Sequence, residues 1–294
     1  MKITKQVMLR LLMLFVLIFS FIFPYNSSIV SASTNLQVHF IDVGQGDAIL
    51  VKLPNGQNML VDAGDNHYGN TVVNYIANQG ITRLDYVIGT HPHADHIGGL
   101  DDVINTFNIG KVYMPNVTAN TKTYEDVLKA IQNKGLSITR ARAGLTLVNT
   151  TVNNRNLQVT MIAPVRDSYS NTNDYSAVIK IVYGSTSFLL TGDAEHVSEN
   201  DMINSGVNLS ASILKVGHHG SSTSTTDAFL NRVNPSVAII SVGTGNRYNH
   251  PTQSTIDKLK ARNVSIYRTD MNGSVIFTTT GSGWLVNKQA WWRP

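Results

Sequence analysis

One short segment of the chain concentrates side chains that bind metal ions: Thr90-His91-Pro92-His93-Ala94-Asp95-His96, followed by Ile97-Gly98-Gly99. It comes directly after the apolar run Leu84 to Gly89, which is typical of a buried strand. A turn at the strand end lets His91 and His93 reach one ion, while Asp95 and His96 reach a second ion nearby. Imidazole and carboxylate ligands suit zinc, manganese or iron(II). A chance histidine-rich loop is the alternative interpretation, and this spacing makes it the weaker one.

Polar groups of the same kind follow strand-like runs in the second half of the chain. Asp193 comes after the apolar run Phe188 to Leu190, where a carboxylate can bridge two cations, although Gly-Asp is also a common turn. His218 and His219 come after the run Ile213 to Val216, and His219 is the predicted ligand of the two. A pair of histidines that only caps a strand is the alternative for this motif.

Catalytic roles are predicted for the remaining histidines of these motifs. His218 is expected to donate a proton to the leaving group or to contact substrate oxygens. His250, in Asn249-His250-Pro251, is expected to complete the second metal's shell or to bind substrate, with a structural role as the alternative. The candidate catalytic residues are therefore Asp95, His218 and His250. The predicted metal ligands are His91, His93, Asp95, His96, Asp193 and His219.

Aspartates also follow the first strand-like runs of the chain. Asp62 is predicted to orient a ligand histidine or a loop amide from behind. For Asp42 and Asp47, a turn role and a functional role carry equal weight. The other histidines are interpreted as surface or core residues: His39, His67 and His196.

The hydrophobic pattern predicts an α/β fold. Strand-like runs and helical runs alternate in two similar halves, and a helix is predicted from His96 through Phe107. No repeat or linker divides residues 33–294, so they are predicted to form a single domain. Two sheets covered by helices, a four-layer αββα sandwich, satisfy this pattern.

Residues 1–32 are predicted to be a signal peptide. Lys2, Lys5 and Arg10 precede the apolar run Leu11 to Phe23, and small residues favour cleavage near Ala32. The apolar run is shorter than the roughly 20 residues that a spanning helix needs. Secretion, with no stable membrane span after cleavage, is therefore the prediction, and a retained membrane anchor is the minor alternative.

Composition limits the chemistry and the partners. The chain is 42% hydrophobic and 14% charged, which is typical of a globular protein. It has no cysteine, so disulfides, thiolate zinc sites and cysteine nucleophiles are excluded. Without the three basic residues of the signal peptide, 20 basic residues face 19 acidic ones. A generally basic surface for nucleic acid is therefore not supported.

At these motifs the sequence resembles the metallo-β-lactamase superfamily, and in particular the branch that includes the hydrolase domain of ComEC-type competence proteins. The resemblance runs from about Leu36 to Tyr267. The phosphorylcholine esterase domain of choline-binding proteins is similar to the same branch. The resemblance implies the αββα sandwich and two divalent metal ions, Zn²⁺ or Mn²⁺. The motifs that carry it are residues 42–47, 62–64, 90–99, 191–193, 214–221 and 246–251.

One departure from the wider superfamily concerns the first metal. No histidine lies between His96 and His196, where β-lactamases and glyoxalase-II-like enzymes have a third histidine ligand. This chain has Asn173-Asp174-Tyr175-Ser176 in that interval. The first metal is then expected to bind His91, His93, Asp193 and an oxygen donor. Such a shell leaves manganese open beside zinc and argues against penicillin hydrolysis.

The resemblance implies hydrolysis assisted by a dinuclear metal site, and a phosphodiester fits two metals well. The first hypothesis is a secreted phosphodiesterase or DNase that acts on extracellular DNA or another phosphodiester. The second is an esterase for cell-envelope polymers or choline phosphate. A metal-binding module without turnover and a β-lactamase are weaker alternatives. A basic groove beside the metals would favour the nuclease over the esterase, and the oligomeric state stays open.

Overall fold

A computed structural model describes residues 35–294 of the 294-residue chain. The predicted signal peptide, residues 1–32, lies outside the described residues. The strands, in chain order, are β1 (Leu36–Phe40), β2 (Ala48–Lys52), β3 (Asn58–Ala63), β4 (Arg83–Ile88), β5 (Asn108–Met114), β6 (Ile138–Arg140), β7 (Thr146–Val152), β8 (Arg155–Ala163), β9 (Val178–Tyr183), β10 (Thr186–Leu190), β11 (Ile213–Lys215), β12 (Val237–Ile240), β13 (Ser265–Arg268), β14 (Val275–Thr279) and β15 (Leu285–Val286).

These strands form two sheets. The order in the first sheet is β15-β14-β1-β2-β3-β4-β5-β6, and the order in the second is β13-β12-β11-β10-β9-β8-β7. The helices are α1 (Gly69–Asn78), α2 (Ala94–Ile97), α3 (Leu100–Thr106), α4 (Lys122–Asn133), α5 (His196–Asn204), α6 (Asp227–Val233), α7 (Gln253–Ala261) and α8 (Thr269–Asn272). Within residues 35–294, no helix has the length and apolar character that crossing a bilayer requires.

Burial on both faces explains why the strands read as continuous apolar runs. In β2, Ile49 and Val51 pack between the two sheets, whereas Ala48 and Leu50 pack against the helices outside the first sheet. Successive side chains of a strand point to opposite faces, so both must be apolar here. Helices α1, α3 and α4 cover the first sheet, and α5, α6 and α7 cover the second. The predicted four-layer αββα sandwich is confirmed.

The prediction of one helix from His96 through Phe107 is wrong in one respect. The segment forms two helices, α2 and α3, which are separated at Gly98 and Gly99. A Cβ on Gly98 would lie 2.2 Å from the Asn66 backbone nitrogen, and one on Gly99 would lie 2.5 Å from the Ala63 carbonyl oxygen. The chain must therefore turn here with almost no space beside it. This close approach fixes α2, which carries two of the predicted ligands, against the end of β3.

The fold brings the predicted site residues to one edge of the sandwich. Strand β3 pairs with β4 in parallel, and β10, β11 and β12 are also parallel to one another. The carboxyl ends of parallel strands meet at the same edge of a sheet. The loops from the two sheets also meet, since Nε2 of His96 lies 3.2 Å from Oδ2 of Asp193. Residues 89–96 follow β4 in the first sheet, while Asp193, His219 and His250 follow β10, β11 and β12 in the second.

One histidine outside this edge makes folding depend on pH. His39, on β1, is 1% exposed, and its Nδ1 lies 3.0 Å from the Tyr75 hydroxyl. Burial, with the nearby charge of Lys52, lowers the pKa of His39 from 6.5 to about 4. As pH falls, His39 therefore becomes protonated in the unfolded chain at a higher pH than in the folded protein. The contribution of neutral His39 to the free energy of unfolding is therefore complete above pH 6.5 and is lost as pH falls towards 4.

We expect His39 to account for about 2–3 kcal/mol of stability lost between pH 7 and pH 4.5, from about 1.4 kcal/mol per pKa unit. Urea unfolding in EDTA at both pH values would show a larger loss for the wild type than for His39→Phe, which keeps a flat buried ring. The exposed His196→Phe variant is the control and should follow the wild type. Equal losses in His39→Phe and the wild type would contradict the assignment.

Candidate metal centre

The loop after β4 is anchored from behind by Asp62, at the end of β3. The Asp62 carboxylate accepts hydrogen bonds from the backbone N–H of Thr90 (2.8 Å) and from the Thr90 hydroxyl (2.7 Å). It also lies 2.7 Å from Nδ1 of His96. Asp62 has a left-handed backbone (φ 57°), which is strained for a residue with a side chain. The predicted orienting role of Asp62 matches these contacts.

His96 and His219 present the same nitrogen to the centre of the site. Nδ1 of His96 is paired with Asp62, and Nδ1 of His219 lies 2.9 Å from the Ser241 carbonyl oxygen. The Nε2 atoms of both rings are buried and have no hydrogen-bond partner among the described residues. Metal-bound histidines in proteins use this arrangement, since one nitrogen holds the ring and the other binds the ion.

Asp193 lies at the middle of the cluster. Its Oδ2 is 3.2 Å from Nε2 of His96 and 3.5 Å from Nε2 of His219. The same oxygen is 3.9 Å from Nε2 of His91 and 3.7 Å from Nε2 of His218. The other carboxylate oxygen, Oδ1, is buried without a partner in the described structure. One carboxylate faces four imidazoles, which is the placement that a bridging ligand requires.

Among the described residues, three groups that share His96 could hold a metal ion. The first is His91, His96 and Asp193, the second is Asp95, His96 and His219, and the third is Asp47, Asp62 and His96; the ligand atoms in each group lie within 4.8 Å of one another. In the second group, Oδ2 of Asp95 lies 3.3 Å from Nε2 of His219. The unpartnered nitrogens and the convergent carboxylates fit two divalent ions.

The electrostatics of the cluster favour cations. Burial alone would raise the pKa of Asp193, but the charges of His219 and His96 outweigh it and hold this pKa well below its usual range. Burial works against charge on His96 and His219 too, yet Asp193 and the other carboxylates raise the pKa of His96 well above 6.5 and that of His219 to about 9. The carboxylates therefore create a negative potential at the two nitrogens that point inward.

His91 and His93 meet on the other side of Asp193. Nε2 of His91 lies 2.9 Å from Nδ1 of His93. Burial and the charge of His96 hold the pKa of His91 well below its usual value, so its ring is neutral and has a lone pair to share. Ser176, from the interval that lacks a histidine, lies 3.4 Å from Nδ1 of His91, and its hydroxyl accepts from the Asp193 backbone N–H (3.1 Å). The interval thus supplies hydroxyl and amide groups to the site.

His218 points towards a carboxylate that the sequence did not single out. Its Nδ1 lies 3.0 Å from Oε1 of Glu195, whose two oxygens also accept from the side-chain amides of Asn171 and Asn173, each at 2.9 Å. The hydrogen bond with His218 is the main cause that lowers the pKa of Glu195. His218 and His219 both have left-handed backbones (φ 47° and 53°), a strain of about 1–3 kcal/mol each.

His250 lies beside His218 and belongs to none of the three metal groups. Its ring centroid is 5.3 Å from that of His218, and its Nδ1 is buried without a partner among residues 35–294. Burial and the charges of His218 and His219 lower the pKa of His250 to about 4. His250 is therefore a neutral ring that lines the cleft next to His218.

A second unforeseen feature is a buried ion pair beneath the ligands. Lys215 is fully buried, and its Nζ lies 2.5 Å from Oδ2 of Asp47 and 3.2 Å from the Gly192 carbonyl oxygen. Oδ1 of Asp47 is 3.6 Å from Nδ1 of His219. Asp47 therefore supports the cluster rather than only a turn. The lysine inside the apolar run Ile213 to Val216 indicates such an ion pair in the sequence, because a buried lysine requires a partner.

An open cleft of about 600 Å³ gives access to these residues. Asp95, Asp193, His93, His218 and His250 all line it. Among the described residues on its walls, Arg247 is the only arginine or lysine, whereas three aspartates line it. The cleft is therefore not a basic groove, and this removes one of the features that would favour a nuclease.

Residues 41–244 match the family model of the Metallo-beta-lactamase superfamily. The chain belongs to the metallo-beta-lactamase superfamily. The predicted family is thereby confirmed, and this membership implies bound divalent metal ions. The His and Asp groups described above could hold them.

Relatives of this superfamily member are competence proteins, as predicted. ComE operon protein 3 of Bacillus subtilis (strain 168) is 31% identical over 272 residues, which cover 87% of this chain and 34% of that protein. Competence protein ComA of Neisseria gonorrhoeae is 29% identical over 238 residues, which cover 80% of this chain and 31% of that protein. The chain spans about a third of the length of these relatives.

A solved structure has the same fold. The metallo-beta-lactamase fold protein YhfI from Bacillus subtilis has a TM-score of 0.51 and 13% sequence identity to this chain. The match covers 83% of this chain and all of that protein. At this identity the likeness concerns the fold alone.

Proposed function

We propose that this chain is a metal-dependent phosphodiesterase that cleaves DNA. The observation that carries the proposal is Asp193, whose Oδ2 lies within 4 Å of four imidazole nitrogens at the floor of an open cleft. Two divalent ions, Zn²⁺ or Mn²⁺, would activate water and neutralise charge on the non-bridging phosphate oxygens. The kinship with competence proteins supports DNA as the phosphodiester.

Each side chain of the cluster has a role in this proposal. His91, His93 and Asp193 would hold one ion, and Asp95, His96, His219 and Asp193 would hold the other. His218 gives its proton to the leaving oxygen, and Glu195 steadies the ring through its contact with Nδ1. His250 contacts the substrate beside His218. The proposal includes secretion of residues 33–294 after removal of the signal peptide.

A second candidate is an esterase for choline phosphate or for cell-envelope polymers. One observation favours it: Arg247 is the only arginine or lysine on the described walls of the cleft, so the cleft lacks the extended basic surface that attracts a long polyanion.

The test uses protein from Ser33 onward, with its metal content measured and with zinc or manganese added. Single-stranded DNA, duplex DNA and bis-p-nitrophenyl phosphate are the substrates. We expect metal-dependent DNA cleavage that falls by at least about 10³-fold in the Asp95→Ala, His96→Ala double variant, which lacks two predicted ligands. The double variant Asp167→Ala, His196→Ala removes the same groups from the exposed surface and should keep the wild-type rate.

The outcomes separate the candidates. Turnover of the small diester with DNA left intact would replace the DNase by the esterase, and p-nitrophenyl phosphorylcholine would then be the next substrate. A chain that holds two metal ions and cleaves none of these substrates would overturn both.

A further inference from the structure

The loop after β12 carries an aromatic and a cationic side chain to the rim of the cleft. Tyr248 is 49% exposed and lines the cleft together with Arg247. The Arg247 guanidinium donates to the Tyr248 hydroxyl (2.8 Å), and its carbon lies 5.0 Å from the ring centroid. An exposed tyrosine beside an arginine combines a flat apolar face with a fixed positive charge.

The loop that carries this pair is held in place by one side chain, Asn246. Its Nδ2 donates to the carbonyl oxygens of Gly243 (2.9 Å) and His250 (2.6 Å). Its Oδ1 accepts from the backbone N–H groups of Tyr248 (3.2 Å) and His250 (3.0 Å). The Tyr248 ring also stacks on the His250 ring, with centroids 5.7 Å apart and planes inclined by 26°. A surface fixed in this way loses little entropy when a ligand binds.

The charges select the ligand of this pair. The guanidinium of Arg247 repels a trimethylammonium group and attracts a phosphate. Because Arg247 is the only arginine or lysine on the described walls of the cleft, the protein contacts few phosphates there. Duplex DNA hides the faces of its bases, whereas a single strand offers them for stacking on aromatic side chains. One unpaired nucleotide is therefore the ligand that fits both side chains.

We propose that Tyr248 and Arg247 form a subsite for one nucleotide of single-stranded DNA. The base stacks against the part of the Tyr248 ring that His250 and Arg247 leave exposed, a neighbouring phosphate pairs with Arg247, and Asn246 positions the loop. This proposal rests on the proposed DNase function, since it names the form of DNA that the cleft accepts. It places specificity on the rim and leaves the ligand cluster to bind the metals.

The experiment compares two oligomers with the same phosphates. One is a fluorescein-labelled twelve-residue oligothymidine, and the other has abasic tetrahydrofuran residues in place of the nucleosides. Binding to the chain from Ser33 onward is measured by fluorescence anisotropy in EDTA, and cleavage is measured with manganese. The wild type should bind the oligothymidine about 5- to 100-fold more tightly than the abasic oligomer, the range expected for one stacked base.

Variants separate stacking from charge. Tyr248→Phe keeps the ring and should keep the preference for bases, whereas Tyr248→Leu is apolar but not flat and should lose it. Arg247→Gln should weaken binding of both oligomers, and Lys288→Gln, which removes an exposed charge elsewhere, should bind as the wild type does. Thermal melting of each variant shows whether it is folded.

The results test the subsite and the DNase function separately. Cleavage without a preference for bases, or Tyr248→Leu protein that binds oligothymidine like the wild type, would overturn the subsite and leave the DNase. A clear base preference without cleavage would overturn the DNase and leave a site that binds single strands. Absence of both cleavage and base preference would overturn both.

Discussion

Asp193→Asn protein will fold, yet it will bind fewer than two divalent ions per chain and lose at least about 10³-fold of its hydrolytic rate. Changes to residues that only support a ligand already cost 10- to 100-fold, and a ligand shared by two ions should cost more. The amide has no charge to offset four imidazoles whose nitrogens lie 3.2–3.9 Å from Oδ2. The effect therefore reaches both ions.

Metal content after dialysis, followed by calorimetric titration with zinc and with manganese, measures this loss without reference to a substrate. Asp201→Asn is the matched control, because Asp201 is also buried but pairs with Arg166 and not with the histidine cluster. It should bind two ions. Two tightly bound ions in Asp193→Asn protein would show that Asp193 does not bridge them.

The second large effect concerns the buried ion pair. Lys215→Met should lower the free energy of unfolding by about 3–5 kcal/mol, the usual cost of removing one member of such a pair. Lys215 is fully buried and Asp47 is 1% exposed, so the lysine's removal leaves a carboxylate in the interior without its closest cation. The more distant His219 compensates only in part.

Urea unfolding in EDTA tests this without a contribution from metals. The double variant Asp47→Leu, Lys215→Met removes both charges and should be more stable than Lys215→Met alone. Lys180→Met is a control for a mostly buried lysine that donates to a backbone carbonyl, of Asn208, at 2.6 Å; its loss should be smaller, about 1–2 kcal/mol. If Lys215→Met and Lys180→Met lose the same free energy of unfolding, the ion pair with Asp47 contributes no more stability than the hydrogen bond of Lys180.

The parts of the molecule with strong local signals could be predicted from sequence. His91, His93, Asp95 and His96 lie in one short segment. Strands that are buried on both faces are recognisable in the sequence as apolar runs. The cluster at Asp193 could be placed because polar residues directly after such runs share one edge of a sheet. The αββα layers followed from the same runs.

Other features depend on contacts that no local pattern encodes. Strand β6 (Ile138–Arg140) is exposed throughout and β7 (Thr146–Val152) is mostly exposed, so neither shows the alternation that marks a strand. Glu195 gains its role only because the turn after β11 brings His218 against it. The break at Gly98 and Gly99 is set by the loop around Ala63 and Asn66, which packs against it.

His91, His93 and His96 follow a strand of one sheet, and Asp193 follows a strand of the other. Ions bound there would cross-link the two sheets of the sandwich. A fragment that stops before β10 would carry His91, His93, Asp95 and His96 but no Asp193. Binding of two ions at Asp193 would therefore depend on the docking of the two sheets, and it would stabilise the docked state.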